Sequence, residues 1–226
     1  MPFSPMCPRL RTVEKYDFRN NEWKTCVNDL PMFASGVHVF SIHGKLFCTT
    51  FEMSSDENLT SNPKSYYPGF YEYDNIHNYW KNTIYCFTLD GTNVIQKCLQ
   101  NSGSIAVCSK TNKIYTISKS DVHCIRTQLD DGEVMFCDPE QLPNLRTTEV
   151  YSNHTAVVYN ENLYVLGGDE RISASEIFPT AAVYMLDNGE KKWVTKCSMQ
   201  EPRARFSSAV VGNYKSYITY FGYVSH

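Results

Sequence analysis

The sequence lacks several features that mark whole classes of protein. It contains no apolar run near the roughly 18 residues that a membrane-spanning helix requires. Residues 1–8 include three prolines and no apolar stretch followed by a small-residue cleavage site, so they do not match a secretory signal. Basic residues do not exceed acidic ones, because 21 Lys and Arg stand against 24 Asp and Glu. Without a broad positive field, neither nucleic acid nor a membrane surface is expected as a partner.

Cysteine is present, but not in the arrangement of a disulfide framework. The nine cysteines are odd in number, the chain is not small, and no two have the C-x-x-C spacing. Apolar or alternating runs contain Cys48, Cys86, Cys108 and Cys124, and in such runs a thiol behaves as a small core side chain. These observations predict a reducing compartment and, with no secretory signal, a cytoplasmic location.

Familiar catalytic motifs are also missing. The sequence has no nucleophile elbow, phosphate-binding loop, dinucleotide fingerprint or histidine-glutamate zinc motif. Its six histidines are spread along the chain without the spacing of a metal site, which needs several converging ligands. Asp169, Glu170, Glu176 and Glu201 fall in predicted loops, but nothing pairs two of them as a glycosidase requires. The sequence therefore predicts no catalytic residue, no metal ligand and no cofactor.

What the sequence does contain is a series of short alternating runs separated by turn residues. This pattern and the 14% aromatic content predict a many-stranded antiparallel protein. The clearest unit has strands at 154–159 and 163–166, ends that hairpin in Gly167-Gly168, and continues with a strand at 182–187 and another that opens at Trp193. Weaker copies cover residues 36–49 and 104–136. In the latter, Phe136 is placed as the equivalent of Trp193, since each stands six residues after an Asp.

One stretch allows two assignments of the outer strands. The pair belongs either to residues 70–87, where Trp80 stands six residues after Asp74, or to residues 83–99. We prefer 83–99, because Leu89-Asp90-Gly91 parallels Leu129-Asp130 and Leu186-Asp187. Residues 51–82 then form a long inter-strand insertion, and loops of that length are usually functional or disordered.

Three of these features together resemble the kelch repeat, a propeller blade motif. They are paired glycines after an apolar strand, a Tyr or Leu followed by Asp before a turn, and a Trp six residues after that Asp. The residues are Tyr164, Gly167, Gly168, Leu186, Asp187 and Trp193 in one unit, and Tyr16, Asp17 and Trp23 near the start. In this family such residues are expected to be structural and to pack between blades.

The resemblance implies an all-β fold, a kelch-type β-propeller. Residues 1–226 would form a single domain with about four blades' worth of strands. Kelch propellers commonly have six blades, and both ends of the sequence fall within a blade. We therefore expect part of a larger, six-bladed propeller, with a closed small propeller as the alternative.

The resemblance also implies a protein-binding function. Kelch-like proteins grip a partner peptide with residues just after the glycine pair and just before the innermost strand. By position, these are Asp169, Glu170, Arg171, Arg203, Arg205 and Tyr223. Many such proteins select substrates for cullin-RING ubiquitin ligases, so the expected partner is a protein or a degron peptide.

Several functional alternatives stay open. Cullin would be bound through a BTB region, for which these residues contain no candidate. Actin binding is also known among kelch proteins. An alternative of another class is a propeller enzyme, resembling either the copper-radical oxidases or a glycosidase.

Overall fold

Antiparallel strands make up the fold, so the predicted all-β class is confirmed. The computed structural model describes residues 12–17, 19–25, 29–30, 35–51, 69–82, 95, 98–99, 103–119, 121–145, 152–171, 173, 176–189, 191–211 and 217–222. Among these residues, no helix has both the length and the apolar character to cross a bilayer. The chain groups into two compact units, one of residues 1–39 and 44–85, the other of residues 40–43 and 86–226.

The first unit contains a two-stranded pair and most of a four-stranded sheet. The pair is β1 (Glu14–Asp17) and β2 (Glu22–Thr25), and the sheet runs in the order β3 (Ser35–Ile42), β4 (Lys45–Phe51), β5 (Gly69–Asp74) and β6 (Tyr79–Asn82). Its core cluster is built from Leu30, Cys48, Tyr71 and Trp80. Each large apolar side chain so buried stabilises the fold by about 1.5–3 kcal/mol.

The second unit contains two larger sheets, a ribbon and a hairpin. The five-stranded sheet has the order β7 (Ser104–Cys108), β8 (Lys113–Ser118), β9 (Asp121–Asp130) and β10 (Glu133–Phe136), with β11 (Glu140–Leu142) also paired to β9. The four-stranded sheet has the order β12 (Thr155–Tyr159), β13 (Asn162–Leu166), β16 (Val183–Asp187) and β17 (Lys192–Thr195). The ribbon joins β14 (Asp169–Arg171) to β15 (Ile177–Pro179), and the hairpin joins β18 (Phe206–Val211) to β19 (Tyr217–Gly222).

Strand β12 connects these parts of the second unit. It packs beside β7 on one side and β18 on the other. The hydroxyl groups of Thr155 and Ser208 lie 2.8 Å apart across the β12–β18 contact. A core cluster that includes Tyr115, Val165 and Leu186 fills the space between the two larger sheets.

The preference for residues 83–99 as an outer strand pair is wrong. β5 and β6 complete the sheet of β3 and β4, with Tyr73 opposite Trp80. Trp80 is only 6% exposed, so burial of this indole favours the earlier pair. The described residues of the rejected segment, Ile95, Cys98 and Leu99, lie outside every strand. The expected insertion at 51–82 is therefore corrected to the stretch between β4 and β5, and residues 52–68 of it lie outside the described residues.

The placement of Phe136 as the equivalent of Trp193 is also wrong. Trp193 pairs with Leu186, directly before the Asp, whereas Phe136 pairs with Thr127 and Val134 takes the place opposite Leu129. The cause is turn length. Asp131 and Gly132, both with positive φ, close a two-residue turn, which shifts the register by two residues.

Candidate functional site

The Gly167-Gly168 turn ends β13 and can be built only from glycine. The two residues have φ values of +55° and +111°, where other side chains are strained. A Cβ at Gly167 would overlap the carbonyl oxygen of Arg203, and a Cβ at Gly168 would lie 2.8 Å from the carbonyl oxygen of Ser152. The glycines therefore allow two other chain segments to approach the end of β13 closely.

Backbone hydrogen bonds then join these segments into one junction. The amide of Gly168 donates to the carbonyl of Arg203 over 2.7 Å, and the amide of Asp169 donates to the carbonyl of Ser152 over 2.7 Å. The amide of Thr180 donates to the carbonyl of Gly168 over 2.8 Å. Because backbone groups make all of these bonds, the positions of the flanking side chains are set by the fold.

Asp169 is the buried centre of the junction. Its Oδ2 accepts a hydrogen bond of 2.6 Å from the Asn153 side-chain amide and lies 3.9 Å from Nε of Arg205. The amide of Arg205 in turn donates to the Asn153 carbonyl over 2.9 Å. Both Asn153 and Arg205 have positive φ, at +55° and +57°. The left-handed backbone at Asn153 and Arg205 thus brings two of the predicted binding residues, Asp169 and Arg205, next to each other.

Arg205 remains available for a ligand in this arrangement. Its side chain is 78% exposed, although its guanidinium group stands beside the Asp169 carboxylate. At 3.9 Å the contact is an ion pair and not a hydrogen bond. The guanidinium donors therefore still face solvent, in the planar fork that suits a carboxylate.

Arg203 makes contacts within the chain instead. One of its terminal nitrogens donates to Oε2 of Glu201 over 2.9 Å, and its backbone carbonyl accepts from Gly168. The Arg203 side chain is largely buried, whereas Glu201 is exposed. The contacts of Arg203 support the turn and neutralise a neighbouring acid.

The ribbon β14–β15 carries the remaining predicted residues that are described. Glu170 lies opposite Phe178, and Arg171 lies opposite Ile177. Arg171, Ile177 and Phe178 are all exposed. Ile177 and Phe178 were not among the predicted binding residues, although the apolar run Ile177-Phe178-Pro179 is visible in the sequence. Alternation along β14 places Asp169 and Arg171 on one face of the ribbon and Glu170 on the other.

The last predicted binding residue, Tyr223, lies outside the described residues. The strand before it is described in its backbone, where Gly222 pairs with Phe206 directly after Arg205. We refer below to Asp169, Glu170, Arg171, Ile177, Phe178 and Arg205 as the Arg205 rim.

The repeat residues recur in one local geometry. Trp lies opposite Tyr or Leu in three hairpins, as the pairs Tyr16–Trp23, Tyr73–Trp80 and Leu186–Trp193. The Asp closes the turn by accepting backbone amides, as Asp187 does from Gly189 over 2.9 Å. Asp17 accepts from Arg19 over 3.0 Å, and its bond from Lys24, aided by that amide, lowers the pKa of Asp17 to about 2.

The three tryptophans differ in what covers them. Trp193 donates from Nε1 to the carbonyl of Pro143 over 2.8 Å and packs against the core cluster between the two larger sheets. Trp80 lies in the core of the first unit. Trp23 contacts the ring of Tyr16, with 5.3 Å between centroids, but is 68% exposed.

The described part of the chain offers no clustered metal ligands, and three of its thiols lie in the interior. No group of three or more His, Cys, Asp or Glu side chains is placed there to hold a metal ion. Cys48, Cys108 and Cys124 are buried free thiols. Burial raises the pKa of Cys48 to about 12, so this thiol stays protonated and unreactive at neutral pH.

Comparisons with known proteins bear on the fold alone. No family model matches the chain, and neither does any curated protein. Among solved structures, the chain is similar to the one titled "Structure of YjhT", with a TM-score of 0.59 and 14% sequence identity. The match covers 87% of this chain and 65% of that chain, so this chain spans just under two thirds of its structural neighbour. The two share a fold over most of the present sequence.

Proposed function

We propose that this chain is a protein-recognition module, part of a kelch-type β-propeller that binds an acidic peptide segment of its partner at the Arg205 rim. The kelch resemblance further suggests that the module selects substrates for a cullin-RING ubiquitin ligase. In that role the partner segment is a degron, and a region outside this sequence contacts cullin.

The packing of the sheets in the second unit supports the propeller part of the proposal. β12 is the first strand of its sheet and packs beside β7 and β18, each also the first strand of its own sheet. Contact between equivalent first strands is what radially stacked blades require, because their innermost strands line one central axis.

One observation carries the binding part of the proposal: the Arg205 guanidinium is held beside a buried carboxylate and yet stays exposed. Asp169, through Asn153, holds the backbone at this position, so the backbone loses little entropy on binding. Arg171 adds a second exposed cation, and Ile177, its partner across the ribbon, adds an exposed apolar side chain on the same face. Arginine is enriched at interface cores and hot spots.

A peptide selection tests the proposal. A displayed library of random peptides is selected against the chain, and the dissociation constants of the recovered peptides are measured. We expect recovered peptides to share an acidic residue near an apolar one. Arg205→Ala should weaken their binding about tenfold or more, because a charged hydrogen bond contributes about 1.5–3 kcal/mol.

The matched control is Arg126→Ala, which removes an exposed arginine from β9. This variant should bind like the wild type. Recovery of peptides without acidic residues, or equal loss in both variants, would contradict the proposed site. Binding of purified actin through these residues would support the cytoskeletal role in place of the ligase role.

A further inference from the structure

A second concave site lies between the sheet of β7–β11 and the sheet of β12–β17. It is a cavity of about 300 Å³, and none of the Arg205 rim residues lines it. Leu142, Pro143 and Leu186 give it an apolar wall, and Tyr115 contributes from β8. Its charged residues are Lys113, Glu140, Glu161 and Lys191. Small-molecule sites usually combine an apolar wall with a few placed polar groups in this way.

Two hydrogen-bond donors of this cavity have no acceptor within the described part of the chain. Tyr115 is 3% exposed, and its hydroxyl group has no hydrogen-bond partner there. Burial raises the pKa of Tyr115, so the hydroxyl stays protonated and can donate. The half-buried ammonium group of Lys113 likewise forms no ion pair there. Both residues line the cavity, so an acceptor bound between them would complete their hydrogen bonding.

The charges around the cavity restrict the ligand. Glu161 pairs with Lys110, and Glu140 lies 3.8 Å from Lys191, so each of these acids already has a basic neighbour. Among the described residues that line the cavity, Lys113 is then the cation without a carboxylate partner. One positive charge suits a monoanion, whereas the two nearby carboxylates would repel a second negative charge.

We propose that this cavity binds a small monocarboxylate with a short apolar body. The carboxylate accepts hydrogen bonds from the Lys113 ammonium and the Tyr115 hydroxyl, and the apolar body packs on Leu142, Pro143 and Leu186. A cavity of this volume lies at the small end of ligand sites, which fits a short acid. The site is separate from the Arg205 rim, and neither proposal depends on the other.

Calorimetric titration of the whole chain tests this site, with isovalerate and benzoate as probes and inorganic phosphate at pH 8 as the dianion. We expect both carboxylates to bind and phosphate not to bind. Lys113→Gln should weaken carboxylate binding about tenfold or more, since it removes a charged donor. Tyr115→Phe keeps the ring and should weaken binding roughly fivefold.

The control is Lys196→Gln, which removes an exposed lysine just after β17 and should leave binding unchanged. Urea unfolding of each variant establishes that it is folded, and Tyr115→Phe decides the question if Lys113→Gln does not fold. The proposal is overturned if neither carboxylate binds the wild type. It is equally overturned if phosphate binds as well as the carboxylates, or if the folded variants bind like the control.

Discussion

The hairpins β1–β2 and β16–β17 have the same construction and different surroundings. Each places Trp opposite the residue before an Asp, and each Asp accepts a backbone amide in the turn. Yet Trp193 is hydrogen-bonded to Pro143 and packed on a core, whereas Trp23 is 68% exposed. The local sequence therefore specifies the hairpin, and a neighbouring segment decides whether its tryptophan is buried. This division fits the proposed propeller, in which each blade depends on the next for its core.

The largest expected effect comes from forcing a neighbouring segment away from the sheet that contains β16–β17. Gly167→Ala places a methyl group against the Arg203 carbonyl and the Phe206 ring, in a backbone conformation that disfavours alanine. We expect urea denaturation to show a loss of about 2–4 kcal/mol in unfolding free energy.

The matched control for this substitution is Gly132→Ala. Gly132 also has positive φ, at +77°, but a Cβ there meets nothing within 4 Å. It should cost only about 1 kcal/mol, the penalty of the backbone alone. Equal losses in the two variants would show that the close approach of β18 does not matter.

A smaller effect is expected from changing the two tryptophans themselves. Trp193→Phe removes the hydrogen bond to Pro143 and leaves its carbonyl without that donor, at a cost of about 1–2 kcal/mol. Trp23→Phe should change stability by less than about 0.5 kcal/mol, because an exposed ring loses little. Urea denaturation of both variants measures the contrast, and a larger loss for Trp23 would reverse our interpretation.

The same contrast explains which parts of the fold could be predicted from the sequence. The spacing from Asp to Trp correctly indicates three hairpins, because it follows from a four-residue turn. It fails at Phe136, where Asp131 and Gly132 make a shorter turn that a count of residues does not reveal. For Tyr73 and Trp80 this spacing indicates the hairpin that the structure contains, whereas the similarity of Leu89-Asp90-Gly91 to other turns is misleading.

The Arg205 rim was predictable only in part for a related reason. Residues beside the glycine pair and before β18 were expected, and the structure brings Asp169 and Arg205 together. The connection through Asn153 depends on left-handed backbone at Asn153 and Arg205, neither of which is glycine. No local sequence pattern predicts this conformation at these two residues. The exposure of Phe178 depends on what packs over β15, and strand patterns alone do not determine that.

The smallest expected effect concerns Asp17, the carboxylate in the turn of hairpin β1–β2, whose tryptophan is exposed. The pKa of Asp17 is lowered to about 2, chiefly by its hydrogen bond from Lys24. Because the folded pKa is depressed, this contribution to stability is present above the ordinary value of 3.8 and is lost as pH falls towards 2. Carboxyl NMR titration should show Asp17 titrating near 2 and moving towards 3.8 in Lys24→Met. No movement in that variant would mean that backbone amides alone hold the carboxylate.

The most direct test of the proposed function is a double-mutant cycle between Arg205 and the acidic residue of a selected peptide. Binding is measured for wild type and Arg205→Ala, each with the peptide and with its carboxylate replaced by an amide. If Arg205 contacts that carboxylate, the two changes should be coupled by about 1 kcal/mol or more. Strictly additive losses would contradict the claim that this exposed guanidinium, held beside Asp169, binds the partner.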